Sequence, residues 1–388
     1  MQAKISQENF ARALSIVKPA SAAKSTLPVL SNVLLTANGD GKLKLTATNL
    51  EIVIITTMPA QIQVQGAVTL PTKALSDYLN ALPPDTLEFK LNPKTQTLAL
   101  KCARFDANIK GMEADEFPLC EIPKSDADGA VVFSMDPQEF REVAAQVCFS
   151  AAHDDTRPAL LGVCLSIAKN GKRATFASAD GFRLSVRTAP IQSDLKFKKE
   201  GEFKIVIPAV ALQRAAGLVG DQEEPVEIRV NPQRSQIAFL LTTTTLLANL
   251  IEGNFPDFEA ITPKSHSTRA VINVHELTNA VKAANVFARD ASFSVRLKID
   301  AASAMSDGQL QISARSAETG DSSSLLDATV EGKGIETAFN ARFLIEFLNV
   351  LNEPQIALET DSSASPGVFK PVGRDDYQHI IMPIHTDA

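Results

Sequence analysis

Four landmarks recur in the same order along this chain, and no other feature restricts its fold as strongly. Apolar residues that anchor a helical stripe, Phe10, Phe140 and Leu277, lie 130 and 137 residues apart. Turn residues Asn38, Asn170 and Asp307 are separated by 132 and 137. Leucines of a second helix, Leu75, Leu212 and Leu344, follow at 137 and 132. Phe117 and Phe255, each followed by proline, are 138 apart. One such match is cheap; four in order describe a building block used three times. A chain of 388 residues suits several domains, since single cores rarely grow past roughly 250–300 residues. Blocks this long carry cores of their own, unlike short solenoid repeats that need neighbours.

In the first copy, Phe10, Leu14 and Val17 share one face of a helix expected over Gln7–Lys18. A strand after Leu27-Pro28-Val29-Leu30, the turn Asn38-Gly39 and a strand with Leu43 and Leu45 follow. Pro71, placed in the first helical turn, opens a helix to about Leu82. Strands Leu87–Leu91 and Thr97–Cys102 close the copy.

The second copy begins near Val131, with Asp136-Pro137-Gln138-Glu139 as a helix start: N-cap, proline at N1, glutamate at N3. Val163, Leu165 and Ile167 alternate with Cys164, Ser166 and Ala168, the pattern of a half-buried strand. Asn170-Gly171 suits a tight hairpin at positive φ. After a second strand comes the compact segment Ala179-Asp180-Gly181-Phe182-Arg183-Leu184. Strand Phe203–Ile207, a helix carrying Val210, Leu212 and Leu218, and strands Val226–Val230 and Ile237–Leu241 complete it.

The third copy repeats the helix start at Asn273-Val274-His275-Glu276, then strand Ser294–Ile299, turn Asp307-Gly308 and strand Leu310–Ala314. A helix runs from Asn340 to Leu351, and a last strand from His379 to Ile384. The fold class is α+β, three similar domains in tandem at 1–125, 126–258 and 259–388.

Chemistry is hard to find. Five histidines, His153, His266, His275, His379 and His385, have no metal spacing, and four cysteines form no C-x-x-C. No dinucleotide, phosphate-loop or nucleophile-elbow motif occurs. Asp154-Asp155 and Asp375-Asp376 read as turn caps or solvated acids. A hydrolase at Asp154-Asp155 would lack a nucleophile, a metal motif and a phosphate loop, so no catalytic and no metal-binding residue is assigned. The scattered cysteines, the absence of an apolar h-region in MQAKISQENFARAL and the lack of a long apolar run point to the cytoplasm.

The net charge of −7 argues against a surface that simply coats nucleic acid. It divides as +2, −4 and −5 over residues 1–125, 126–262 and 263–388. The expected helices carry Arg12, Lys18, Lys73, Arg141, Arg214, Lys282 and Arg342. On one side of an assembly these would make a lining for phosphates. With Asp77, Glu142 and Glu346 nearby, they read as well as an ordinary solvated face. The apolar end, Ile380-Ile381-Met382-Pro383-Ile384, is either the last core strand or one wall of a groove for a partner peptide.

Six segments, in order, carry a family resemblance over essentially the whole chain. They are Leu27–Asn32, Thr156–Val163, Ala179–Leu184, Gly253–Asp257, Phe339–Leu344 and Met382–Ile384. The chain resembles the bacterial DNA polymerase sliding clamps, beta subunits of the replicative polymerase. The resemblance implies a head-to-tail homodimeric ring around duplex DNA, helices inside and sheets outside, with no cofactor, no membrane and no activity of its own. It implies a peptide-binding pocket of Leu160, Gly181, Phe182, Arg183, Leu184, Pro256, Ile261, Phe293, Asn340, Phe343, Ser363, Ile380, Met382, Pro383 and Ile384. Short hydrophobic motifs of the replicative polymerase, the clamp loader and repair and mismatch proteins would bind there. DNA contacts would come from Arg12, Lys24, Lys73, Arg141, Arg157, Arg214, Lys282 and Arg342. Phe105 of one chain would meet Val286 and Phe287 of the other. Phe182 departs from the polar or smaller residue of many relatives, and Ala260 stands where some carry arginine.

Overall fold

The computed structural model describes residues 1–22, 25–118, 121–154, 156–198, 202–290, 292–301 and 308–384. The first copy holds β1 (Gln2–Ser6), α1 (Gln7–Val17), β2 (Asn32–Ala37), β3 (Lys42–Thr48), β4 (Ile52–Pro59), β5 (Gln61–Val64), β6 (Gly66–Pro71), α2 (Thr72–Ala81), β7 (Thr86–Asn92), β8 (Thr97–Cys102) and β9 (Phe105–Lys110). The second holds β10 (Val131–Met135), α3 (Pro137–Cys148), β11 (Gly162–Ile167), β12 (Arg173–Ala179), β13 (Arg183–Pro190), β14 (Phe203–Pro208), α4 (Ala209–Leu218), β15 (Val226–Val230), β16 (Gln236–Leu240) and β17 (Thr244–Asn249). The third holds α5 (Phe258–Ile261), β18 (Thr268–Asn273), α6 (Val274–Ala288), β19 (Ser294–Asp300), β20 (Gln309–Ser316), β21 (Gly320–Gly332), β22 (Ile335–Asn340), α7 (Ala341–Leu348), β23 (Gln355–Thr360), β24 (Gly367–Pro371) and β25 (Tyr377–Ile381).

These elements form two compact units, Met1–Pro137 with Arg214–Leu250, and Gln138–Gln213 with Ile251–Ala388. In the first unit, a five-stranded sheet runs β5-β1-β7-β8-β9, and an eight-stranded sheet runs β10-β15-β16-β17-β4-β3-β2-β6. In the second, twelve strands run β14-β11-β12-β13-β25-β24-β23-β18-β21-β20-β19-β22. The middle copy is therefore divided. Its strands β10 and β15–β17 extend the first copy's sheet through β17 and β4, and β11–β14 join the third copy's through β13 and β25.

Helices pack where their stripes predict. Phe10, Leu14 and Val17 are buried, with the Phe10 and Phe89 ring centroids 5.7 Å apart. Leu277, Val281 and Ala284 of α6 and Leu344 and Phe347 of α7 belong to one core with Leu297, Ile312 and Phe369. Ser6, Asn273 and Asn340 cap their helices through side-chain oxygens.

Several expectations need correction. The hairpin after β11 spans five residues, and only Gly171 has positive φ (69°); Asn170 instead accepts a hydrogen bond from Lys172 N. The first-copy hairpin likewise places Gly41, not Gly39, at φ 73°, while Asp307 lies outside the described residues. Pro71 ends β6 and precedes α2 as its N-cap. Val210 of α4 is 64% exposed. Strand β11 is buried on both faces through Leu165, because Cys164 is covered by a second apolar cluster described below. The last strand stops at Ile381.

Candidate functional site

The segment after β12 bends sharply because Asp180 Oδ1 accepts hydrogen bonds from Phe182 N (2.9 Å) and Arg183 N (3.0 Å). Gly181 takes φ 96°, where a side chain is strained, and an added Cβ would meet Arg157 Nη2 at 2.6 Å. The bend leaves Phe182 65% exposed. Met382 N donates to Phe182 O at 2.8 Å, which carries the β13–β25 pairing one step further and holds the half-exposed Met382 there.

Behind this rim, Leu184 and Ile380 stand opposite each other in register. Together with Leu160, Cys164, Val186 and Phe258 they belong to one buried apolar cluster, against which Phe255 packs. Pro256 is exposed, as is Ile261 at the end of the helix that Phe258 anchors. An apolar floor with exposed aromatic, thioether and aliphatic groups at its rim has the polarity that suits a short hydrophobic segment.

Arg183 precedes Leu184 on the strand, so its side chain leaves the opposite face. It pairs with Asp180 (2.9 Å) and Glu346, donates to Phe149 O (2.7 Å), and lies 4.4 Å from the Phe343 ring centroid. Around the start of α7, Asn340 accepts from Arg342 N, and the Arg342 guanidinium sits 3.4 Å over Phe293. Phe293 is itself at φ 58°, and its carbonyl accepts from Ala341 N. Ser363 O accepts from Thr337 Oγ1. The residues assigned from sequence thus fall in two groups: Leu160, Gly181, Phe182, Leu184, Pro256, Ile261, Ile380 and Met382 in one, and Arg183, Phe293, Asn340, Phe343 and Ser363 in the other. The chain end spans them, since Met382 N reaches Phe182 O and Ile384 N reaches Ala338 O at 2.8 Å, with Pro383 between.

Sequence reading missed Phe255, Phe258, Val186 and Val368 of the floor. Val186 was within reach, because it continues the period-two pattern from Leu184. Phe258 offered only its spacing from Phe255, which it meets edge-on at 6.4 Å.

A buried polar layer braces the same strands. Ser185 Oγ bonds Ser150 Oγ and His379 Nδ1, both at 2.8 Å, and His379 stacks on Phe347 at 4.9 Å. Burial, aided by Arg183, holds the His379 pKa well below the ordinary imidazole value. Arg187 is ion-paired with Glu139 and Asp376, and Tyr377 donates to Gln146 O. Burial pushes the thiols of Cys148 and Cys164 up to about 12 and about 11, so both stay protonated and unreactive.

Among the assigned cations, Arg12, Lys73, Arg141 and Lys282 are exposed on helices, and Arg214 is partly buried. Arg157 reaches back to Asp180 O at 3.5 Å, and Lys24 lies outside the described residues. Phe105 and Val286 are 49% and 54% exposed, whereas Phe287 packs partly against the core. Among the described residues no cluster of histidine, cysteine and carboxylate side chains could hold a metal ion. No helix among them is long and apolar enough to cross a membrane. Asp154 is bound to Thr156, and Asp155 lies outside the described residues.

Comparison with known proteins adds three matches to family models of the DNA polymerase III beta subunit. The N-terminal domain matches residues 1–121, the central domain 134–257 and the C-terminal domain 259–385. A beta sliding clamp of Pseudomonas putida is 27% identical over 383 residues, 98% of each chain. That of Staphylococcus aureus is 27% identical over the full length of both. The crystal structure of the Bacillus subtilis DNA polymerase sliding clamp superimposes with a TM-score of 0.91 at 21% identity, covering both chains completely. The Pseudomonas aeruginosa clamp bound to griselimycin gives 0.89 at 24%, again with complete coverage.

Proposed function

The chain belongs to the family of the DNA polymerase III beta subunit, and from that premise we propose that it is a sliding clamp. It encircles duplex DNA as a head-to-tail homodimer and tethers the replicative polymerase through the apolar site around Leu184 and Met382. The clamp loader and repair and mismatch proteins compete for that site with short hydrophobic motifs. The protein works in the cytoplasm as an accessory subunit without catalytic residues, its domains spanning 1–125, 126–258 and 259–388.

One observation carries the ring. The last strand of the second copy, β17, pairs with β4 of the first, and the last strand of the third, β25, pairs with β13 of the second. The matching strand of the third copy is Gly320–Asp327 of β21, whose only described partner is β20. The last strand of the first copy, β9, has β8 as its only described partner. The repeat thus leaves one strand edge to give and one to receive, and a second chain placed head to tail satisfies both twice. Phe105, the first residue of β9, and Val286 and Phe287 supply apolar contact at the joint. Arg12, Lys24, Lys73, Arg141, Arg157, Arg214 and Lys282 are the proposed phosphate contacts, which read no bases, while the acidic balance elsewhere discourages DNA from other surfaces. Arg342, stacked on Phe293, is set apart from that group.

The test is topological. Loaded by a clamp loader with ATP, the protein should stay on nicked circular DNA through gel filtration and be lost when the circle is cut. Equal retention on both forms, or on neither, rejects the clamp.

A further inference from the structure

The bend that builds the site in the second unit is repeated in the first. Asn49 Oδ1 accepts from Glu51 N (3.1 Å) and Ile52 N (2.9 Å), as Asp180 does from Phe182 and Arg183. Leu50 takes φ 75°, the place of Gly181. Val53 stands opposite Leu247 across β4–β17, as Leu184 stands opposite Ile380. Asn249 N donates to Glu51 O at 3.1 Å, as Met382 N does to Phe182 O. Ala22 N donates to Leu30 O, as Ala152 N does to Leu160 O, each at 2.9 Å. Leu247, Ile55 and Ala238 form a small apolar cluster with Val53, matching the floor beneath Phe182.

Two features separate this copy from an inert relic. Leu50 is 51% exposed in a left-handed conformation that favours glycine, and such outliers concentrate at ligand clamps. It borders a depression of about 130 Å³ that Val53, Leu247 and Pro118 also line. That is well under the roughly 300 Å³ at which small-ligand pockets begin, so it suits one anchoring side chain. The charge at the rim also differs. The second-unit site has Arg157 at its bend together with the exposed Asp257 and Glu259, whereas Glu51 and Glu121, both exposed, edge this one.

We infer that the first unit carries a second peptide-docking site, selective for a partner segment that places one apolar side chain between lysines or arginines. It rests on the reading of the second-unit site as a peptide pocket, because the likeness of the two bends is its warrant. Two sites that differ in rim charge let one ring hold partners that do not compete with each other.

The test uses the full-length protein and fluorescein-labelled Gly-Lys-Leu-Leu-Lys-Gly, with Gly-Glu-Leu-Leu-Glu-Gly as its charge-reversed twin, read by fluorescence anisotropy. In Met382→Glu, which closes the second-unit site, the lysine peptide should still bind and the glutamate peptide should not. Adding Glu51→Lys with Glu121→Lys should weaken the lysine peptide about tenfold or more, and Leu50→Asp should weaken it similarly. Failure of the lysine peptide to bind Met382→Glu, or indifference to both further changes, overturns the inference. The second-unit reading fails by a separate result: binding of neutral Gly-Gln-Leu-Leu-Phe-Gly unchanged by Met382→Glu.

Discussion

Arg187 is 1% exposed and holds the carboxylates of Glu139 and Asp376. Its ion pairs tie α3 to β13 and to the turn before β25, directly under the candidate site. Arg187→Met would leave both acids without this partner. They are 22% and 28% exposed and Asp376 keeps Arg374, so water and that arginine recover part of the loss. A loss of about 2 kcal/mol in the urea unfolding of the second unit is expected, below the roughly 3–5 of a fully buried pair. His379 gives a pH effect. Its folded pKa is depressed, so the unfolded chain binds the extra proton once pH falls below about 6.5. Stability from this residue is complete above that value and declines as pH drops, by at most about 1.4 kcal/mol per unit. Thermal unfolding from pH 7.5 to 5 should show the decline, and His379→Asn should flatten it. Neither role was legible beforehand. Asp376 read as half of a solvated pair because its partner, Arg187, is 189 positions away.

At the scale of elements, α7 shows how much a short helix depends on its first residue. It has eight residues, and Asn340 caps it through Arg342 N. Asn340→Ala should cost about 1 kcal/mol, visible as a lower melting temperature, and Asn340→Asp should restore most of it. Because α7 also carries Phe343 and Glu346, the contacts of Arg183, the alanine variant should bind site peptides more weakly. Caps of this kind could be read from residue type and spacing. The strands β4, β9, β17, β21 and β24 could not, since each is defined by what it pairs with. The terminal strand ends at Ile381 for a similar reason: Met382 and Ile384 give their amides to Phe182 and Ala338, and Pro383 between them has none to give.

At the scale of the molecule, each joint between copies is made by a last strand meeting an earlier copy's edge. The two edges left over set the expected assembly. Phe105→Asp combined with Val286→Asp should convert a species of twice 41.6 kDa into one of 41.6 kDa by light scattering, with the circular dichroism of each chain intact. A wild-type chain that is already monomeric at micromolar concentration would contradict the ring, and an unfolded double variant would show that these residues serve the core instead. Loading on circular DNA should disappear with the dimer.

Local chemistry was enough for much of this protein. Helix stripes, caps and a threefold spacing depend on residues within a few turns of each other, so sequence alone determined the three copies and the helices that fill them. What only tertiary structure decided is how the copies are stitched: the middle one shared between two sheets, the arginines facing away from the apolar floor, and a second bend of the same make with a different charge at its rim. Strand pairing and burial join positions up to about two hundred residues apart, and no local pattern encodes a partner at that distance.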